Sequence, residues 1–213
     1  MEPLAWYQIA APVVACLVVD VFAAVGHTRF RFAALGITAG VGYGILQDQV
    51  SARLCPEYFT VFHPPVPGLI DPTLLGMTWG FLGTWWAGLL LGYIAGLIAT
   101  LGSLPEFTPR EAIRPVLILV ASIAVAVMVT GVTVWRHVEM FGVSIDPELG
   151  KMLPPQRHRA LLVVACYHFV GYAVAFGGSV ALWAWIWRER IKRALLIRPE
   201  PYPQNTPQQA DTA

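Results

Sequence analysis

The sequence is short of charge and of cysteine, and both shortages narrow the class of protein. Charged residues make up 13% of its 213 residues, whereas hydrophobic residues make up 56%. A soluble globule of this length needs more polar surface than that, so we expect an integral membrane protein. The three cysteines lie mostly within apolar stretches, and this excludes a framework of disulfide bonds.

Several motifs that identify enzymes and nucleotide-binding proteins are also missing. The glycines recur at helical spacing inside apolar runs, which argues against a phosphate-binding loop. Neither HExxH nor CxxC occurs, so no compact metal motif is present. The net charge is only +1 and the basic residues lie beside apolar stretches, so we expect no nucleic-acid partner.

Five apolar stretches are long enough to cross a hydrocarbon layer of about 30 Å, which takes roughly 20 helical residues. We therefore predict an all-α integral membrane bundle of five transmembrane helices within residues 1–194, and a disordered tail over residues 195–213. The second stretch is the least apolar, and a helix that enters the membrane without crossing it is the alternative there. The first has no positively charged leader and is expected to remain as a helix. The stretches are 8–26, 32–54, 73–101, 115–135 and 160–187.

The cations are unevenly distributed between the two sets of connecting segments. Nine follow the first, third and fifth stretches, and five lie on the opposite side. Because segments rich in lysine and arginine stay in the cytoplasm, this predicts an external N-terminus and a cytoplasmic C-terminus in the inner membrane of the cell. The lipid bilayer is then the main partner.

Small residues recur every fourth position in the second and third stretches. Such stripes allow helix backbones to approach closely in lipid, so we predict glycine-striped packing between these two helices. Exposed parts of the stripes would also allow a homodimer or contact with a partner in a membrane complex. The residues are Gly36, Gly40 and Gly44, and then Gly76, Gly80, Thr84, Gly88, Gly92 and Gly96.

Ionisable residues interrupt the apolar stretches at a few positions. Asp48 lies four residues after Gly44 and so continues the glycine face of the second stretch. His168 shares a helix face with glycines that follow it in the fifth stretch. Since charge inside a membrane is costly, such residues suggest a functional site. We predict that Asp48, Glu57 and His168 form its catalytic core.

These groups are expected to meet in a pocket of the outer leaflet, bounded by the second, fourth and fifth stretches and capped by the proline-rich segment 56–72. A divalent metal is one occupant, held by His63, Glu57 and His168, although the sequence identifies no cofactor. The predicted ligand-binding residues are Tyr43, Gln47, Gln49, Tyr58 and His137.

The chemistry of this pocket stays open at the level of sequence. The leading hypothesis is a bound ligand or metal, with membrane-embedded acid/base catalysis as an extension of it. Passage of a proton or small solute would use the same groups. The alternative is a scaffold or accessory subunit, in which Asp48 is merely satisfied by Arg53 or Gln47, and His168 by Tyr43 or Tyr172.

One part of the chain resembles a known group of proteins. The run YGILQDQVSARLCPEYFTVFH, with HFVGYAVAFGG in the last stretch, resembles an uncharacterised family of bacterial multi-pass membrane proteins. The shared pattern is YG-x3-DQ-x6-PEYFT-x2-H, and it covers about a quarter of the chain. The resemblance implies that these residues belong to one site, and it implies no reaction.

Overall fold

The computed structural model describes residues 2–140, 145 and 147–197, and these residues form seven helices. Five helices are long, and two short ones lie in connecting segments. The predicted all-helical membrane bundle is thereby confirmed. In chain order the helices are α1 (Trp6–Ala24), α2 (Thr28–Leu54), α3 (Glu57–Thr60), α4 (Pro72–Thr100), α5 (Pro109–His137), α6 (Pro147–Gly150) and α7 (Pro155–Ile197).

The predicted number of membrane spans needs correction. By length and composition four of the described helices, α1, α4, α5 and α7, could cross a membrane, instead of the five expected. Helix α2 has 27 residues and is therefore long enough, but its second half carries Gln47, Asp48 and Gln49, which lower its hydropathy. Arg29 and Arg31 at its start lower the hydropathy as well, so polar residues at both ends of α2 take it out of the count.

Helix α2 nevertheless lies along α4 in an antiparallel pair. The two backbones meet at glycines: a Cβ atom on Gly88 would lie 2.8 Å from the carbonyl carbon of Gly36 and 2.9 Å from the Cα of Ile37. At the other end, a Cβ on Gly76 would lie 2.7 Å from the carbonyl oxygen of Asp48. These glycines of α2 and α4 therefore face each other within one chain.

The other long helices enclose this pair. Helix α7 packs on α5 through Val163, Val164 and Tyr167, which join Ile123 and Val127 in one buried cluster. Helix α1 contacts α2 through a second cluster around Val19, Ala33 and Ile37. The C-terminus of α2, the N-termini of α4 and α7 and the C-terminus of α5 consequently share one end of the bundle, which we call the Asp48 end.

The opposite end is organised by one buried cation and is called the Arg190 end. The guanidinium of Arg190, on α7, is completely buried. It donates hydrogen bonds to the carbonyl oxygens of Leu101 and Leu104, each 2.8 Å away, and of Pro105 at 2.9 Å. A cation here meets the unpaired carbonyls beyond the C-terminus of α4, where the helix dipole favours positive charge. Arg190 therefore holds the α4–α5 connection against α7.

The predicted tail falls partly outside the described residues. Helix α7 continues to Ile197, so residues 195–197 are helical. Residues 198–213 lie outside the part of the chain that the structure describes. The orientation of the two ends across the membrane stays a prediction from the distribution of cations.

Replacement of Gly88 by alanine tests the α2–α4 contact. The added Cβ would collide with the backbone of α2, which cannot move aside as a flexible side chain can, and we expect a loss of about 1–3 kcal/mol in unfolding free energy. Thermal unfolding in detergent measures this. The matched control is Gly42→Ala, because a Cβ on Gly42 meets no atom within 4 Å; a lower melting temperature for both variants alike would contradict the contact.

Candidate functional site

The structure brings Asp48 of α2 and His168 of α7 into direct contact. The Nε2 atom of His168 lies 3.0 Å from Oδ1 of Asp48. The side chain of His168 is only 13% exposed and that of Asp48 only 9%. Two ionisable groups 120 residues apart in the sequence therefore form one buried pair between α2 and α7.

The hydrogen bonds of His168 determine how many protons the pair holds. Its Nδ1 lies 2.8 Å from the carbonyl oxygen of Val164, and because a carbonyl only accepts, Nδ1 must donate. The contact between Nε2 and Asp48 then needs one further proton. That proton lies either on Nε2, giving an ion pair, or on the carboxyl group, giving a neutral pair. In both arrangements the pair has no net charge.

A second chain of hydrogen bonds supports the carboxyl group from the side of α7. The hydroxyl of Tyr167 donates to Oγ of Ser51 over 2.8 Å, and Oγ of Ser51 donates to Oδ1 of Asp48 over 2.9 Å. Ser51 is fully buried and Tyr167 is 3% exposed. Oδ1 of Asp48 is thus contacted by both Ser51 and His168, which fixes the orientation of the carboxyl group.

Two aromatic rings stack on the His168 imidazole. The ring of Tyr58 has its centroid 4.9 Å from that of the imidazole, with an angle of 16° between the planes. The ring of Tyr167 is also stacked on the imidazole, at 5.0 Å and 30°. The two rings therefore hold the imidazole in the orientation in which Nε2 faces Asp48.

A cavity of about 300 Å³ begins at this pair and extends along the bundle. It reaches Phe32 on α2, Ala95 on α4 and Ala112 on α5, towards the Arg190 end. From Asp48 to Phe32 is 16 residues of one helix, which corresponds to about 24 Å. Its walls come from α2, α4, α5 and α7. The predicted boundary named the second, fourth and fifth stretches, which correspond to α2, α5 and α7, and α4 is added to them.

The cavity is polar at one end only. Around the Asp48–His168 pair it is lined by Tyr43, Gln47, Tyr58, His63, Trp79 and Tyr172. Towards the Arg190 end the lining consists of glycine, alanine, aliphatic and aromatic residues, with Thr84 and Ser179 as the exceptions among the described residues. The cavity is consequently amphipathic along its length.

His63 and Trp79 line the polar end of the cavity, and their ring centroids lie 4.7 Å apart. Nδ1 of His63 lies 2.7 Å from the carbonyl oxygen of Tyr58 and must donate to it, which leaves Nε2 as an acceptor. Burial lowers the pKa of His63, so that its imidazole is neutral at pH 7. The indole Nε1 of Trp79 is buried and has no hydrogen-bond partner among the described residues. Buried donors rarely remain unsatisfied, so Nε1 of Trp79 is an exception among the described residues.

The predicted catalytic residue Glu57 has a different role in the structure. Its carboxylate accepts two hydrogen bonds from Arg157, over 2.8 Å from Nε and 2.7 Å from Nη2. It does not line the cavity. The Arg157 hydrogen bonds lower the pKa of Glu57 despite its partial burial. Glu57 therefore fastens the cap helix α3 to the start of α7, and this places Tyr58 over His168.

The predicted ligand-binding residues divide into two groups. Tyr43, Gln47 and Tyr58 line the cavity, and the Tyr43 hydroxyl lies 3.5 Å from Oε1 of Gln47. Gln49 instead donates to the carbonyl oxygen of Thr73 and does not line the cavity. His137 is exposed at the end of α5 and is also outside the lining.

The predicted metal ligands are not assembled into a metal site. The described residues contain no group of three or more histidine, cysteine, aspartate or glutamate side chains that could hold a metal ion. Glu57 is bound to Arg157, His63 to a backbone carbonyl and His168 to Asp48. Each predicted ligand is thus occupied by another partner.

Among the residues that the structure describes, the two candidate nucleophiles near the pair are not placed for covalent catalysis. Ser51 is fully buried, donates to Asp48 and does not line the cavity. Burial raises the pKa of the Cys55 thiol to about 11, so that it stays protonated at neutral pH. Neither group is arranged for attack on a bound molecule.

Sequence reasoning missed Tyr167, Trp79 and Arg157. Tryptophan is common at a membrane boundary, so Trp79 gives no signal of a site in the sequence. Tyr167 directly precedes His168 and carries no periodicity signal of its own. A cation beside an apolar stretch, such as Arg157, indicates topology and gives no sign of its partner. Arg53, offered as a partner for Asp48, bonds Gln49 and Thr73 instead.

No protein-family model, curated protein or solved structure matches this chain. The geometry of the cavity and its polar end is therefore the basis for inferring a function.

The Glu57–Arg157 ion pair makes stability dependent on acid. Because the folded-state pKa of Glu57 lies below its ordinary value of 4.5, the contribution of the pair is present above that pH and is lost as the pH falls through the folded-state value. We expect Glu57→Gln to cost about 1–2 kcal/mol at pH 7. Unfolding measured from pH 7 down to the acid range should show this difference shrinking.

The matched control is Glu139→Gln. Glu139 pairs with Arg159, but its side chain is 85% exposed, so water screens the pair. We expect little change at any pH for this variant. Equal losses of unfolding free energy in the two variants, or a loss for Glu57→Gln that grows in acid, would contradict a stabilising role of the Glu57–Arg157 pair.

Proposed function

We propose that this protein binds a single-chain amphiphile within the membrane, with the polar head at Asp48 and His168 and the apolar chain along α2 and α4. The observation that carries the proposal is the amphipathic cavity, which is polar at the Asp48 end and apolar over the rest of its length. A ligand with a polar head and an apolar chain would match both parts of the cavity. The proposal replaces the metal in the original hypothesis with an organic ligand.

The dimensions of the cavity support a narrow, elongated occupant. Its volume of about 300 Å³ is at the lower end of the range of about 300–1,000 Å³ for small-molecule sites. That volume extends over about 24 Å of helix α2, so the cross-section is small. A single hydrocarbon chain fits this shape better than a compact or two-chain molecule does.

The glycine stripes explain how room for a chain arises beside a tight helix pair. Gly36, Gly40 and Gly44 of α2 line the cavity as well as contacting α4. Glycine has no side chain to fill the space between α2, α5 and α7. The residues that bring α2 and α4 together therefore also leave the groove beside them empty of side chains.

Two other hypotheses receive less support. A proton or ion relay needs polar groups across the membrane, and no acidic or basic residue lines the apolar part of the cavity within the described chain. A scaffold that binds a partner through its glycine stripes needs those stripes exposed, whereas here they face each other between α2 and α4. We retain the inner membrane as the location, with the polar end in the outer leaflet, from the distribution of cations.

Replacement of Ala175 by phenylalanine tests whether the cavity holds a ligand. Ala175 of α7 lines the cavity, and a phenylalanine there would fill part of it. We would incubate the purified protein in detergent with equal amounts of hexadecanol, palmitate and hexadecyltrimethylammonium and record the bound mass by native mass spectrometry. The wild type should retain one molecule from this mixture, and Ala175→Phe should retain about tenfold less.

The matched control is Ala173→Phe, two residues away on the same helix. Ala173 is exposed and does not line the cavity, so binding should be unchanged. Ala39→Phe fills the cavity from α2 and gives a second test should Ala175→Phe unfold. No binding of any probe by the wild type, or equal binding by all variants, would overturn the proposal.

A further inference from the structure

We propose that the head of the bound amphiphile is uncharged and carries a hydroxyl group, as in a long-chain alcohol. This inference rests on the proposed function and narrows it to a chemical class. It follows from the charges and the free hydrogen-bonding atoms at the polar end of the cavity.

The polar end is close to electrically neutral. The acidic and basic residues that line the described cavity are Asp48, His63 and His168, and no lysine or arginine is among them. Asp48 and His168 carry no net charge together, whichever of them holds the shared proton. His63 donates from Nδ1 to a backbone carbonyl and needs no second proton. A bound head group therefore meets no uncompensated charge.

An anionic head would be unfavourable beside this pair. It would lie next to the Asp48 carboxylate, and Arg157, the α7 residue that contacts the cap, is bound to Glu57 and lies outside the lining. Charges brought into a poorly solvated site cost several kcal/mol unless they are paired. Carboxylate and phosphate heads are disfavoured for this reason.

A cationic head would also be unfavourable beside this pair. The rings of Tyr58, Tyr172 and Trp79 could attract a cation, but with the shared proton on His168 the cation would have to lie near a positively charged imidazole. With the proton on Asp48 the hydrogen bond of 3.0 Å would remain, but the carboxylate charge that could balance the cation would be gone. With the proton lost from the pair, the lone pair of Nε2 would face the carboxylate, so a cationic head is disfavoured in each case.

The free polar atoms match a hydroxyl group. Nε1 of Trp79 is a buried donor without a partner among the described residues. Nε2 of His63 is an acceptor, since Nδ1 of the same ring donates. A hydroxyl group both accepts and donates, so one such head could satisfy Trp79 and His63 together. Leaving these two groups unpaired would disfavour a head without hydrogen-bonding atoms.

The probe mixture used above also tests this inference, because its three members share one chain and differ in the head. For the wild type we expect hexadecanol to bind about tenfold more tightly than palmitate and than hexadecyltrimethylammonium. Equal binding of the three, or tighter binding of a charged probe, would overturn the neutral head and leave the amphiphile site standing. Absence of binding by all three would overturn the proposed function itself.

Two substitutions should shift the charge preference in opposite directions. Asp48→Asn removes the negative partner, so the ratio of palmitate to hexadecanol bound should rise about fivefold or more. His168→Gln leaves the carboxylate without its imidazole, so the ratio of hexadecyltrimethylammonium to hexadecanol should rise by a similar factor. A purely structural pair would lower binding of all three probes equally, and that result would contradict the inference.

The control variants are Asp20→Asn and His27→Gln. Both residues are exposed and lie outside the cavity lining, so these changes remove the same groups without touching the site. Their binding ratios should equal those of the wild type. A matching shift in the controls would mean that net charge, and not the site, sets the preference.

Discussion

A carboxyl group among apolar helices persists here because one proton is shared between it and an imidazole. The side chains of Asp48 and His168 are largely buried, and a single charge there would be costly without a partner. Their contact joins α2 to α7, and the rings of Tyr58 and Tyr167 stack on the imidazole. The polarity of the cavity and the proposed ligand both depend on this pair.

The rest of the molecule keeps that pair in place from two sides. Glycines bring α2 against α4, which sets the direction of the α2 face that carries Asp48. Arg157 and Glu57 hold the cap helix on α7, so that Tyr58 covers the imidazole. At the far end Arg190 binds backbone carbonyls and stands apart from the cavity. Charged and polar contacts thus lie at both ends of the bundle, and the cavity lining between them is largely apolar among the described residues.

Local patterns in the sequence were sufficient for the helices and for part of the site. Four-residue spacing indicates which face of α2 carries Asp48, since helical periodicity depends only on neighbours in the chain. The pairing of Glu57 with Arg157, 100 residues apart, depends on tertiary packing, so no local sequence pattern predicts it. Glu57 and His168 were therefore grouped although they serve different purposes. The polar residues of α2 likewise made its span ambiguous by composition, although its packing on α4 is close.

A double-mutant cycle on the central pair is the most direct measurement. Asp48→Ala, His168→Ala and the double variant would be unfolded in detergent, and their unfolding free energies compared with that of the wild type. If the two side chains interact as described, the single losses will fail to add by about 1–3 kcal/mol, because either substitution already breaks the contact. Losses that add to within about 0.5 kcal/mol would show independent residues and contradict the account.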